Sequence, residues 1–402
     1  MKVVIGAGPA GMMAAIAAAS AGKEVILLEK NEKPGRKLAI TGKGRCNVTN
    51  ARDISEFFDN IPTNSSFLYS ALYGFTNADV MRFFEDNGVP LKVERGERVF
   101  PVSDKAFDIV DALKNKLIGL GAKIVRDEAM DIKTENGSVT AVVGRRREYK
   151  CDGTVIATGG MSYAQTGSTG DGYRFAKEQG HTVTALYPSL IPIVTKEDTS
   201  ALQGLSLRNS ALTVTDAKGK TVYRDFGEML FTHYGLSGPM ILSASGHLGA
   251  DPEGNVFSID LKPALSEEKL DERVLRDFSA AKNKDLINSL SELLPAKMIP
   301  YIVERSQIPA HEKVNSVTRE QRGRLVTLLK DLKFTAAAYR PINEAIITSG
   351  GVSVKEINPS TMESKLVKGL FFAGEVIDCD AYTGGFNLQI AFSTGHLAGE
   401  NV

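Results

Sequence analysis

Cysteine is scarce in this chain. Cys46, Cys151 and Cys379 are the only three in 402 residues, widely spaced and without a C-x-x-C pair. That excludes a disulfide scaffold and fits a reducing, cytoplasmic compartment. The five histidines show no H-x-x-H or similar ligand spacing, so neither a structural nor a catalytic metal is expected. Charge of one sign is not in excess either: Lys+Arg and Asp+Glu both total 48, and a net charge of zero gives no support for a nucleic-acid partner. The densest basic run, Arg145-Arg146-Arg147, stands between strand-like Val139–Val143 and Tyr149, which suits a solvated hairpin tip. There is no internal repeat and no low-complexity tract. The length suits two or three domains.

One long stretch lacks charge altogether, from Val3 to Gly22. A membrane span needs about 20 apolar residues, but Gly6, Gly8, Pro9 and Gly11 divide this run. Ala19-Ser20-Ala21 resembles a signal-peptidase site, yet cleavage there would discard the glycine loop. The run reads instead as strand, phosphate loop and helix: Val3-Val4-Ile5, then Gly6-Ala7-Gly8-Pro9-Ala10-Gly11, a G-x-G-x-x-G. Gly6 permits the tight turn, Gly8 lets backbone approach a pyrophosphate, and Gly11 lets helix and strand pack closely. Glu29, ending the next apolar strand, would accept hydrogen bonds from ribose hydroxyls.

The pattern predicts an α/β fold, a Rossmann-like dinucleotide-binding domain interrupted by an inserted β-rich, barrel-like domain that itself carries a helical subdomain. Helical periodicity marks Ala78–Asn87 and Ala106–Leu120, and Ala122–Arg126 and Thr154–Ala157 read as strands. After about Pro188 the character changes. Leu205–Thr215 and Thr221–Asp225 look like paired strands around Asp216-Ala217-Lys218-Gly219, and Val256–Leu261 is a further strand. The expected boundaries are 1–188 and 346–402 for the dinucleotide-binding domain, 189–265 and 326–345 for the β-rich insert, and 266–325 for the helical insertion.

Four segments would converge on one ligand in such a fold. The glycine loop contributes Gly6, Gly8, Pro9, Ala10 and Gly11, with Glu29 and Lys30. A glycine- and lysine-rich loop, Pro34–Asn50, offers Arg36, Lys37, Thr41, Gly44, Arg45, Cys46 and Asn47 to phosphates and the edge of a ring system, although a mobile basic surface loop has the same composition. Thr158, Gly159 and Gly160 let backbone approach the cofactor at a strand end, as a plain tight turn also does. The C-terminal return supplies Gly374, Glu375, Gly385, Asn387 and Leu388, where a helix start would face the N1–C2=O edge of an isoalloxazine. Met130 completes the expected set. A nicotinamide dehydrogenase needs no such return segment, so the cofactor expected is FAD. No second complete strand–GxGxxG–helix unit appears; NADH or NADPH would therefore act as a transient reductant.

Gly42-Lys43-Gly44-Arg45-Cys46-Asn47-Val48-Thr49-Asn50 resembles the signature of the BaiN-type flavoproteins, a family that also includes aminoacetone oxidases. The likeness extends through Thr166–Gly172, Leu230–Pro239 and Tyr382–Gly395. It implies FAD, a three-part architecture and a redox role, with members associated with bile-acid reduction or amine oxidation. Two departures lie where substrate would approach: Cys379 with Ala381, in place of an acidic or apolar residue and a glycine, and Ala164-Gln165, in place of a Pro-Ala-like pair.

His233, between strand-like Met229-Leu230-Phe231 and a Gly-Leu-Ser-Gly-Pro turn, is the leading acid/base candidate; the alternative is a histidine bonded to backbone at a domain joint. Tyr382 and Tyr163 rank second, and Cys46 reads as a packing thiol. The main expectation is an NAD(P)H-using reductase of an unsaturated or carbonyl small molecule, such as a steroid or bile-acid-like compound. An amine oxidase using oxygen and a non-catalytic flavin-binding protein are the alternatives. No membrane association and no obligate protein partner is expected. A reversible Cys46–Cys379 disulfide beside the flavin would require their Cα atoms to lie within about 7 Å.

Overall fold

The short apolar runs form a parallel sheet because they carry no alternation: a strand covered by helices on both faces is hydrophobic throughout. The computed structural model describes residues 1–402, which divide into two units, Met1–Pro188 with Ile342–Val402, and Ser189–Pro341. In the first unit five parallel strands run in the order Leu370–Phe372, Gly153–Ile156, Lys2–Ile5, Val25–Glu29 and Lys123–Arg126. The registers Val4↔Val155 and Val4↔Leu27 put the N-terminal strand at the centre.

The first helix, Pro9–Ser20, has no polar face, and every residue from Ala10 to Ala18 is buried. A helix apolar all round must be covered all round. The last helix, Phe386–Asn401, supplies part of that cover: a β-carbon on Gly395 would overlap the Ala10 carbonyl oxygen, and one on Gly399 the Ala14 carbonyl oxygen. These contacts advance together, so the two helices run in the same direction. The last helix starts about eight residues ahead of the first, or about 12 Å at 1.5 Å per residue. Its C-terminal carbonyls are met by Lys23, whose Nζ lies 2.7 Å from both Glu400 O and Val402 O.

Two three-stranded antiparallel sheets also belong to this unit. One joins Ala129–Glu135, Ser138–Gly144 and Glu148–Lys150, and Arg145–Arg147 form its turn, with Arg145 paired to Glu128 and Arg147 over the Tyr149 ring. The other joins Thr49–Asn50, Arg98–Pro101 and Leu91–Glu94. One expectation needs correction. Arg36–Gly44 is helical rather than an open loop, with a break at Thr41, Gly42 and Lys43. Arg-Lys-Leu-Ala-Ile is a run of adequate helix formers, and the burial of Leu38 anchors it.

The second unit is built on a closed six-stranded barrel: Ile193–Thr195, Gly235–Ser237, Thr221–Phe231, Ser206–Thr215, Val256–Asp260 and Leu332–Tyr339. Its second long strand runs six residues beyond the expected end at Asp225. Leu212, Val214, Phe231, Phe257 and Phe334 are all buried in its core. Strands Val256–Asp260 and Leu332–Tyr339 pair directly, yet the chain between them makes the helices Glu267–Ala280, Ile299–Ser306 and Arg319–Lys330. Ser266 caps the first of these and a Thr318–Gln321 capping box starts the last.

Candidate functional site

The glycine loop has a distinct demand at each glycine. Gly6 takes φ +100°, and a β-carbon there would lie 2.6 Å from the Ala157 carbonyl oxygen; one on Gly11 would overlap the Gly6 carbonyl oxygen. Gly8 has no atom within 4 Å of that position, so its face is open. Gly8 is also the N-cap of the first helix, with Pro9 at its first position and no side chain capping the first-turn N–H groups. The Glu29 carboxylate reaches this loop: Ala7 N–H donates to it at 3.0 Å, and Asn31 N–H at 2.8 Å. Lys30 pairs with Asp171 and Arg36 donates to Asn31 Oδ1 at 2.9 Å.

A polar hub ties three of the expected segments together. Lys37 Nζ lies 2.8 Å from Glu375 Oε2 and 2.7 Å from Ser162 Oγ. Glu375 Oε1 accepts from Thr348 N–H at 2.9 Å and from Ser162 Oγ at 3.1 Å. A β-carbon on Gly160 would meet Thr348 Oγ1 at 2.6 Å, and one on Gly159 would lie 3.0 Å from Ser168 Oγ. Gly374, whose N–H donates to Thr394 Oγ1 at 2.9 Å, approaches Ala10 of the first helix. Sequence reasoning had not included Ser162 or Thr348, and no local motif marks them.

The last helix starts at Gly385, φ +103°, again without a side-chain cap. A β-carbon there would overlap the Thr49 backbone, Asn50 Nδ2 donates to Gly384 O at 3.0 Å, and Thr49 Oγ1 donates to Gln389 Oε1 at 2.6 Å. The segment after Arg45 is therefore braced on this helix start. Two uncapped helix N-termini, staggered along one direction, suit a ligand with negative charge at two separated points. Asn47 Oδ1 and Thr158 Oγ1 are buried without a protein partner. Such atoms need a partner; the open face of Gly8 leaves room for a bound dinucleotide, and Thr158 Oγ1 lies toward Gly172.

Several expected side chains are committed elsewhere. The Arg45 guanidinium pairs with Glu94 and Asp104 and lies 4.2 Å over the Phe100 ring, so its charge is matched within the protein; these partners belong to a loop and strand over forty residues away. Asn387 clamps the preceding loop, accepting from Ala381 N–H at 2.9 Å and donating to Ala381 O at 2.6 Å, which leaves the backbone of the helix start to meet a ligand. Met130 is an exposed residue at a register shift of its strand, with its carbonyl taken by Arg174. Thr41 donates to Leu38 O, Gly44 takes φ +85°, and Leu388 is half-buried against the core. Cys46 is buried, its thiol pushed up to about 12 by desolvation, and Cys379 is pushed up as well. All three cysteines are free, so no Cys46–Cys379 bridge is formed.

Of the acid/base candidates, His233 belongs to the second unit, exposed in the turn after Phe231 and edge-on to Tyr234 at 4.9 Å. No backbone bond holds its ring. Tyr382 is half-buried beside the last helix start, and its N–H donates to Asn60 O at 3.0 Å. Burial and then the nearby Asp380 charge push the phenol up to about 12. Asp380 itself, 3% exposed, was missed, although the acid pair in Asp378-Cys379-Asp380 so near Gly384-Gly385 was a legible signal. No helix is long and apolar enough to cross a membrane.

The chain matches the family described as HI0933-like protein Rossmann domain over residues 1–401. It is 31% identical to the 3-dehydro-bile acid delta(4,6)-reductase of Clostridium scindens, over 98% of this chain and 97% of that protein. It is also 31% identical to the ribosomal RNA dihydrouridine synthase of Escherichia coli, over 100% of this chain and 97% of that protein. Among solved structures, a 3-ketosteroid delta1-dehydrogenase from Sterolibacterium denitrificans superposes with TM-score 0.51 at 12% identity, over 99% of this chain and 98% of that one, a likeness of fold. The chain belongs to the HI0933-like family and is a FAD-dependent oxidoreductase.

Proposed function

We propose that the protein reduces a carbon–carbon double bond conjugated to a carbonyl in a small, steroid-like substrate, drawing electrons from NADH or NADPH. The observation that carries this reading is the whole-length likeness, at 31% identity, to two relatives whose names describe one kind of bond change. A 3-oxo group conjugated with a 4,6-diene and the C5=C6 bond of uridine beside its C4 carbonyl are both electron-poor alkenes. The balance of 48 basic and 48 acidic residues favours a small molecule over ribosomal RNA, whose binders carry a basic surface.

When bound, FAD supplies hydride transfer to an electrophilic carbon and accepts electrons from a nicotinamide. The chain's own residues do the rest. The first-turn N–H groups after Gly8 would hold the pyrophosphate and Glu29 the ribose, with Thr158 and Asn47 giving their partnerless oxygens to the same ligand. The helix start at Gly385 would stabilise negative charge on the ring edge. Tyr382 would hold a proton beside it.

The test is anaerobic mixing of the purified yellow protein with NADH, NADPH or small amines, followed by a 3-oxo-4,6-diene steroid acid or by unmodified ribosomal RNA. Bleaching by a nicotinamide and recovery of colour with the steroid support the proposal. Recovery only with RNA transfers the reading to the nucleic acid, and bleaching only by an amine replaces it with amine oxidation.

A further inference from the structure

We propose that Asp380 is a proton-supplying positioning residue, acting through Tyr382 on the carbon that remains to be protonated after hydride addition. This rests on the reading of the protein as a conjugated-alkene reductase. Asp380 is 3% exposed and stands two residues before Tyr382, on the segment that joins Glu375 to the last helix start. Ser349 Oγ donates to its Oδ2 at 2.7 Å. Its Oδ1 is buried and has no partner.

The groups around it are the wrong ones for a carboxylate. Asp378 and Glu375 are acidic, Cys379 and Tyr382 are held neutral by burial, and the cation beside Glu375, Lys37, is paired with that residue. Burial, opposed by the Ser349 hydroxyl and aided by Glu375, raises the Asp380 pKa. A buried carboxyl given only neutral donors holds its proton more tightly than one in water. An Asn or Ser would satisfy Ser349 equally well without the cost of an acid, so the acid serves a purpose other than packing.

Hydride from reduced flavin forms a C–H bond at the β-carbon, and the alkene π pair moves through the carbonyl carbon to leave an enolate. The Tyr382 O–H bond breaks as the α-carbon gains its proton. The Asp380 O–H bond then breaks, through one bridging water, as the phenol re-forms, and Asp380 regains a proton from solvent. The substrate gains one hydride and one proton, and the flavin is left oxidised.

The experiment compares holoprotein of wild type, Asp380→Asn, Ser349→Ala and Tyr382→Phe. Flavin is reduced anaerobically with dithionite and mixed with a 3-oxo-4,6-diene steroid acid across a pH series. In the wild type the reoxidation rate should fall on the alkaline side as Asp380 loses its proton. Asp380→Asn should be at least tenfold slower and lack that limb. Ser349→Ala should move the limb to higher pH, because the lost donor stabilises the anion; it also decides the matter if Asp380→Asn does not hold flavin. Separately, ultraviolet titration of the oxidised protein, with Tyr382→Phe identifying the Tyr382 signal, should show that phenol ionising at lower pH in Asp380→Asn. A retained alkaline limb, or an unshifted Tyr382 titration, overturns the proposal. If wild-type flavin ignores the steroid, the reductase reading fails, while the titration still judges the Asp380–Tyr382 coupling.

Discussion

The parallel-sheet unit and the barrel unit each bury a continuous apolar core, but they treat backbone and polar atoms differently. In the barrel unit, buried phenylalanines meet one another, Phe231 with Phe334 at 5.6 Å and Phe334 with Tyr301 at 6.2 Å. In the parallel-sheet unit, helices lie backbone against backbone, Gly11 on Gly6 and Gly395 on Ala10, whereas the comparable approach in the barrel unit, Gly235 on Ile193, is between paired strands. The parallel-sheet unit also holds the partnerless oxygens of Asn47, Thr158 and Asp380, while the barrel unit leaves the Ser189 and Ser210 hydroxyls unmatched. The difference separates two tasks. A core of large side chains gives stability, whereas close backbone packing sets two helix starts at a fixed offset and leaves their N–H groups for a ligand.

The largest expected effect comes from removing that close approach. Gly395→Val forces a side chain into the Ala10 backbone and should destabilise by more than about 4 kcal/mol, an overpacking cost beyond the usual range. Purified protein should be colourless, with its thermal transition lowered by well over ten degrees or lost. Normal flavin content would show that the helix pair does not hold the cofactor.

Phe334→Ala tests the other side of the comparison. Phe334 is fully buried, and its removal should cost about 3–5 kcal/mol. The flavin-to-protein ratio measured in the cold should stay at the wild-type value. If flavin is lost in proportion to stability, the two cores are not separate in their tasks.

Thr158→Val removes a hydroxyl that no protein atom uses. The thermal stability of the apoprotein should change little, and FAD affinity by titration should weaken about tenfold, the worth of one hydrogen bond to a charged or polar ligand. A reversed pattern would make the hydroxyl structural.

Acid stability offers a further contrast. His181 sits in the parallel-sheet unit with a fully buried side chain, its Nε2 2.8 Å from Ser364 Oγ, and desolvation lowers its pKa despite Glu356. A base whose folded pKa lies below the unfolded value of about 6.5 leaves stability untouched above that pH. As pH falls from there toward the folded pKa, the unfolded chain takes up the proton first and stability drops. His181→Gln should flatten the fall in melting temperature over that window; an unchanged slope would assign it to other groups.

The smallest effect belongs to Arg45→Ala. Its ion pairs are half exposed, so the change should cost less than about 1 kcal/mol and leave FAD affinity unaltered. A marked loss of affinity would restore Arg45 to the cofactor site.

Much of the first unit was legible because its chemistry is local. A strand, a glycine turn and a helix start are written within eleven residues, and Glu29 closes the same unit. The second helix start, at Gly385, was legible for the same reason. The insert was legible as β-rich and barrel-like but its strand pairing was not, since closure depends on pairing Ile193–Thr195 with Leu332–Tyr339 across more than 140 residues. The helix at Arg36–Gly44 was hidden by loop-like composition, because burial of Leu38 decides it.

By itself, the sequence determined the α/β class, the glycine loop, its acid and the return segment, since each follows from backbone conformations that few residue types permit. Tertiary structure alone decided which of the nearby side chains are free to serve a ligand. Arg45 and Asn387 are spent on Glu94, Asp104 and the Ala381 backbone, while Asp380 is left buried with one oxygen unmatched. It also decided the offset of the two helix starts, through Gly395 and Gly399 lying on Ala10 and Ala14. The reason is distance along the chain: a polar group's role depends on its partner, and these partners arrive only when segments far apart in sequence are packed together.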